Sequence, residues 1–333
     1  MIKRNDFLYI GDGFDNTVKT FEAETGRFLG SFVASGSNGL NGPRGLIFDH
    51  SGNLLVTNQN IGQPQNGDVL KYNRQTGEFL GELVQSNAPG APFAPRGIVL
   101  SNENLLFVAD MGDVDVPGEV RLYNGTTGEF LGNLNHSSFT GQFHPRAVVI
   151  GPDGLLYVSV RKLPQGSGGS VLRFNLRTGQ FIGVFIASNT ENDLNRPEGL
   201  VFGPDGNLYI TSFRRDDKDT DKILIFDGKT GKFLNKIELD VVGQPRAFAQ
   251  ALLFGPDGKL FVPITGDGPD TGSVRRYNVI HHFKTFDVIV PSASAGGPLG
   301  SPWYLTFGNT NPATLAFQHD RDDCTRELSN ESS

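Results

Sequence analysis

One repeated position in this sequence carries four arginines, a glutamate and a tryptophan. Each follows a proline: Arg44, Arg96, Arg146, Glu198, Arg246 and Trp303. A guanidinium presents a planar fork of donors that matches a carboxylate or phosphate two bonds at a time. Four of them gathered together, in a chain of formal net charge −7, reverse the local charge and form a candidate ligand-binding group for an anion. Confined like charges repel, and burial adds to the cost, so something must compensate. Internal compensation is available from Glu198, and from Asp12 and Asp110 at the ends of nearby apolar runs. An external anion is the alternative. Two readings therefore stand, an anion site and a structural brace between repeats.

Other side chains could do chemistry at the same place. His144, just before Pro145, is a candidate general base, and Glu198 and Tyr304 are candidates to move a proton. Trp303, Tyr304 and Phe143 could form an aromatic wall, while Asn58 and Asp110 are candidate polar contacts. Asp12, Asn58, Asp110, Glu198 and Asp267 are the candidate oxygens for Ca²⁺. That ion takes six to eight hard oxygen ligands, and four nearby arginines would repel it, so Ca²⁺ is disfavoured and no cofactor is identified. The stretch 214–221 lacks the glycine turn and terminal glutamate of a calcium loop and reads as a self-paired charge run. His281 and His282 begin an outer strand, away from this group. There is no nucleophile elbow, phosphate-binding P-loop or dinucleotide fingerprint.

What positions these residues is a repeat. The phrase Thr-Gly-x-Phe-Leu-Gly begins at Thr25, Thr76 and Thr127, and close variants begin at Thr178 and Thr230, at intervals of 51 or 52 residues. Each period holds four short apolar runs. In the second copy these are 45–48, 53–57, 68–72 and 78–83, separated by Gly- and Asp-containing turns such as Asp49-His50-Ser51-Gly52 and Thr76-Gly77. Four short antiparallel strands per period, repeated radially, predict an all-β propeller. With the strands lettered A to D outward from the channel, the prolines 43, 95, 145, 197, 245 and 302 each precede a strand A and count six blades. The first blade lacks its own strand A, which 303–307 supplies, so the two ends of the chain share one sheet. Domain organisation is then a single propeller over 1–315, followed by a polar tail over 316–333 expected to be disordered.

The run Pro-Arg-Gly-Leu-Ile-Phe-Asp from Pro43, with Gly-Asn-Leu-Leu-Val-Thr and Asp-Val-Leu-Lys-Tyr after it, resembles the NHL-repeat propellers. The run Pro197-Glu198-Gly199-Leu200-Val201-Phe202-Gly203-Pro204-Asp205-Gly206 is also similar to stretches of gluconolactonase and strictosidine-synthase-like propellers. The resemblance covers Phe7 to Phe307. It implies the fold, and a superfamily of binding scaffolds, lactonases, lyases and RNA binders, among which fold does not choose.

The start of strand A and the end of strand B share one rim, here called upper. Its loops are long and irregular, as in 85–94, 186–196 and 213–221, whereas the lower rim has short Pro-Asp-Gly and Thr-Gly turns. Irregular loops on a rigid scaffold carry function, which points to the upper rim. The first expectation is a binding propeller that takes an anionic small molecule or an acidic segment of a partner protein. The second is an enzyme of lyase, lactonase (hydrolase) or cyclase type acting on a carboxylate-bearing small molecule. Acidity argues against a nucleic-acid partner. One cysteine, Cys324, permits no intrachain disulfide, and no apolar run reaches the ~18 residues of a membrane span. The start of the chain does not read as a signal peptide, so a cytoplasmic protein is expected.

Overall fold

The repeat closes as six four-stranded antiparallel sheets, which makes the chain a six-bladed β-propeller. The computed structural model describes residues 6–113, 116–162, 168–268, 270–279 and 285–319. The His281–His282 pair and Cys324 lie outside them. Five sheets are built from consecutive strands. The sixth joins Pro302–Phe307 to Phe7–Asp12, which continues into Thr17–Glu22 and Phe28–Val33, so the two ends of the chain share a blade as the repeat predicts.

The Thr-Gly-x-Phe phrase has a packing reason in both of its fixed residues. Its phenylalanine opens the outermost strand and stacks on the last aromatic of strand C in the five blades that carry the phrase, and Phe286 does the same in blade 6. These pairs are Phe28 on Phe21, Phe79 on Tyr72, Phe130 on Tyr123, Phe181 on Phe174, Phe233 on Phe226 and Phe286 on Tyr277, with centroids 5.2–5.8 Å apart. Such tilted and edge-on contacts suit the ring quadrupole. The glycine takes the left-handed conformation: at Gly77 φ is +70°, and a Cβ there would run into the Phe32 carbonyl of the preceding blade.

The inner strands surround a narrow channel. In blade 2 the partners along strands A and B jump from Pro43↔Asn58 to Leu46↔Val56, so Arg44 and Gly45 together oppose Thr57. The same bulge recurs between Pro95 and Ile98, Pro145 and Ala147, and Pro197 and Leu200. A bulge re-aims the side chain it carries. Hydroxyls take up the backbone groups it frees: Thr57 donates to the Arg96 carbonyl at 2.7 Å, and Ser159 to the Glu198 carbonyl at 2.6 Å. The glycines after three of the bulged residues, Gly45, Gly97 and Gly199, let neighbouring blades meet at the axis, since a Cβ on Gly45 would stand 2.6 Å from the Arg96 carbonyl oxygen. Gly45→Ala is expected to cost about 1–3 kcal/mol, the range for overpacking, read as a lower urea midpoint at unchanged m.

Below the bulges the channel is apolar, a cavity of about 40 Å³ walled by residues such as Leu46, Ile98, Leu200 and Leu305. That is room for a few waters. Its floor comes from the segment after the last strand. The Leu100 N–H donates to the Pro312 carbonyl and the Ile150 N–H to the Ala313 carbonyl, which ties the segment to the lower ends of two inner strands. Leu315 then packs against all four hydrophobic clusters of the core and lines the cavity from below. Of the expected tail, the described part includes Phe317, edge-on to Phe307 at 5.9 Å.

Candidate functional site

The bulged residues Arg44, Arg96, Arg146, Glu198 and Trp303 form a circle at the upper end of the channel, which Gln250 joins from blade 6. The blade 6 member differs from the one reached by counting from Pro245. Pro43 stands five residues before the end of its strand at Phe48, but Pro245 stands nine before Phe254, and strand A of that blade is only Leu253–Phe254. The extra residues turn aside through Phe248 at φ +49°. Arg246 is thereby carried to the blade 5–6 boundary, where it pairs with buried Asp221 at 2.5 Å and lies 3.8 Å over the Phe248 ring. Its backbone N–H is taken by Asp267. Counting back from the Gly255-Pro256-Asp257-Gly258 turn reaches Gln250 instead.

A second circle lies against the first, made of the residue that follows the strand B partner of the strand A proline. Gln59, Met111, Arg161 and Phe213 belong to it. Arg44 donates Nε to Gln59 Oε1 at 2.8 Å. Met111 Sδ receives Arg146 Nη1 at 2.7 Å and Arg96 Nη2 at 3.3 Å. Gln250 Oε1 receives both Arg44 Nη1 at 2.9 Å and Arg96 Nη1 at 3.0 Å. Glu198 Oε1 pairs with Arg161 Nη2, and with Arg146 Nε at 3.4 Å. Arg44 stacks on Trp303 at 3.5 Å, and Arg161 lies 4.7 Å over Phe213. This circle escaped sequence reasoning because its members differ in type. Their common place in the register, one residue beyond the partner of the strand A proline, is the signal that marks them.

The electrostatics follow from these partners. Burial alone would push the Glu198 carboxyl up, but Arg161, Arg146, Arg96 and Arg44 outweigh it and hold the carboxyl below its ordinary value. Burial drives Arg44 well below its ordinary value, and repulsion from Arg96 and Arg146 adds to the shift. Burial brings Arg146 to about 9 against the pull of Glu198, and Arg161 is also lowered by burial. Guanidiniums nevertheless stay charged in proteins. Among the described residues, the four guanidiniums of this group share one carboxylate, which pairs with Arg146 and Arg161 and leaves a surplus of three positive charges.

The other candidates lie elsewhere or are already engaged. Asp12 takes the Gly300 and Ser301 N–H groups at 2.8 Å and the Lys19 ammonium at 2.7 Å. Asp110 takes the Phe93 and Ala94 N–H groups, each at 2.8 Å, and Arg121 at 2.7 Å. Asn58 accepts from the Asn41 N–H at 2.7 Å and donates to the Gly39 carbonyl. All three clasp the upper loops to the ends of strand B, each in its own blade. No three His, Cys, Asp or Glu side chains converge as metal ligands among the described residues. His144 is buried with Nδ1 3.1 Å from the Met111 carbonyl, so it supports the second circle from outside. Tyr304 sits just below the arginines, its hydroxyl 3.5 Å from the Arg146 carbonyl and pushed up to about 12 by burial. Phe143 is packed in the core.

No protein-family model matches the sequence, and no curated protein does. Solved structures match the fold. The periplasmic gluconolactonase of Pseudomonas aeruginosa has a TM-score of 0.58 at 16% identity, over 91% of this chain and 98% of that one. Hydrazine synthase of Kuenenia stuttgartiensis has 0.55 at 17%, over 80% and 72%. The extracellular domain of a hybrid two-component system from B. thetaiotaomicron has 0.53 at 13%, over 90% and 34%. At such identities the likeness is one of fold, and the propeller expected from the repeat stands on it as well as on the sheets. Among the described residues, no helix is long and apolar enough to cross a membrane.

Proposed function

We propose that this propeller binds an anionic small molecule, a carboxylate or phosphate, at the arginine-lined channel mouth. The observation that carries the reading is the mismatch of partners. Arg44 and Arg96 are held by the neutral acceptors of Gln59, Gln250 and Met111. A brace that had evolved only to join blades would gain by placing carboxylates there, because removing charge from water without a counter-charge is costly. An anion supplies what the chain withholds.

Two further observations narrow the reading. Arg44, Arg96 and Arg146 are only 4–9% exposed, which suits a small group entering the mouth better than a docked protein segment. The candidate proton movers do not meet: Glu198 is held ionised by its arginines, Tyr304 is held protonated, and His144 faces a backbone carbonyl behind Met111. Binding is therefore better supported than lyase, lactonase or cyclase chemistry.

Thermal unfolding with and without inorganic phosphate tests this, using wild type beside Gln250→Glu. Phosphate at 100 times its dissociation constant should stabilise wild type by about 2.7 kcal/mol. Gln250→Glu places a carboxylate between Arg44 and Arg96. It should be more stable than wild type without phosphate and respond little to it. Wild type indifferent to phosphate and to carboxylates alike would sink the proposal.

A further inference from the structure

The chemistry lining the mouth says more about the ligand than its sign. Most acceptors in the two circles are already turned to an arginine: Gln59 Oε1 to Arg44, Gln250 Oε1 to Arg44 and Arg96, Met111 Sδ to Arg96 and Arg146, and Glu198 Oε1 to Arg146 and Arg161. Because Gln59 and Gln250 accept from guanidiniums through Oε1, each directs its NH₂ group elsewhere. Among the described residues an incoming molecule therefore meets mainly donors, from guanidiniums and amide NH₂ groups, with Glu198 Oε2 the one carboxylate oxygen of the group not set against an arginine. A hydroxyl-rich ligand needs acceptors for its own protons, and a buried hydroxyl left unpaired costs free energy. The surplus of three positive charges likewise exceeds what a monoanion neutralises. Below the arginines the channel is apolar and small, about 40 Å³, so the charged group must be compact and must stop at the mouth.

We infer that the natural ligand is a compact oxyanion with at least two negative charges that presents only acceptors to the site, a phosphate monoester or a di- or tricarboxylate. Sugar-like polyols and monocarboxylates fall outside this class. The inference rests on the anion reading above and names its ligand class.

Isothermal titration of the full chain at about pH 8 and low salt tests it, with probes that differ in charge but little in size. Methyl phosphate is a dianion there and dimethyl phosphate a monoanion; propionate, succinate and tricarballylate form a carboxylate series, and sorbitol is the neutral polyol. Affinity should rise by about tenfold or more per added charge and weaken as salt is raised. Sorbitol should not bind, and Arg44→Gln should flatten the charge series. Tighter binding in the phosphate arm than in the carboxylate arm assigns a phosphate monoester, and the reverse order a polycarboxylate. Equal affinity for propionate and tricarballylate, or competition by sorbitol, overturns the class while leaving anion binding intact. Failure of every anion to bind overturns both.

Discussion

Replacing Glu198 with Gln is expected to destabilise the unliganded protein by about 3–5 kcal/mol, the cost of removing one member of a buried ion pair. Glu198 is 1% exposed and is the carboxylate against which Arg146 and Arg161 are set. Its loss leaves four buried guanidiniums with no counter-ion among the described residues. The second half of the expectation has the opposite sign. The emptier the site is of negative charge, the more a bound dianion offsets, so saturating phosphate should stabilise Glu198→Gln more than it stabilises wild type. Urea midpoints for both proteins, with and without phosphate, read the two effects together. The pH dependence follows from the same pair. The folded carboxyl titrates below its unfolded value of ~4.3, so its contribution is in place above that pH and is lost as pH falls through the lower folded value. The variant should lack that acid step. A Glu198→Gln protein as stable as wild type would show that the charges at the mouth are balanced by something else, and the surplus-charge argument would fall.

The second large effect lies away from the mouth, in the blade 2 clasp. Buried carboxylates that hold the upper loops elsewhere have a cation against them: Lys19 on Asp12, Arg121 on Asp110, and Arg246 on Asp221. Asp68 has none. Asn60 donates to its Oδ2 at 2.9 Å, and its buried Oδ1 has no partner. Burial raises its carboxyl to about 7, only partly offset by the bond from Asn60. A carboxyl that binds its proton more tightly when folded stabilises the fold below its unfolded value of ~3.9. That contribution is lost as pH rises through the folded value near 7. Three pKa units correspond to at most about 4 kcal/mol. Asp68→Asn keeps the shape and removes the titration. It should therefore gain about 2–4 kcal/mol over wild type at pH 8 and show a flat stability profile between pH 5 and 8. Parallel pH profiles for the two proteins would refute the assignment of this group.

How far the residues themselves announced this arrangement varied with the kind of constraint. The Thr-Gly-x-Phe phrase was legible because its glycine and phenylalanine obey the same geometry in the five blades that carry it, a left-handed turn and an aromatic stack. The blade count followed from the prolines that precede strand A. The position of the circle was legible in the five blades where the proline leads straight into the strand. It failed in blade 6, where four more residues separate Pro245 from the strand and the role of Arg246 passes to Gln250. Asp12, Asn58 and Asp110 were placed on the correct rim. Their orientation was beyond reach, because a bulge in strand A decides which of two neighbouring residues faces the axis, and a bulge leaves no residue type of its own. The second circle was hidden for a different reason. Gln, Met, Arg and Phe share nothing but a place, and only the strand register reveals a place.

The floor laid down by Leu315 settles the traffic through this molecule. Propellers are often pictured as pierced discs, but this one is a cup. An anion that entered at the arginines would leave by the same doorway, so its arrival and departure would exclude each other. Control over such an occupant would belong to the upper-rim loops that frame the doorway.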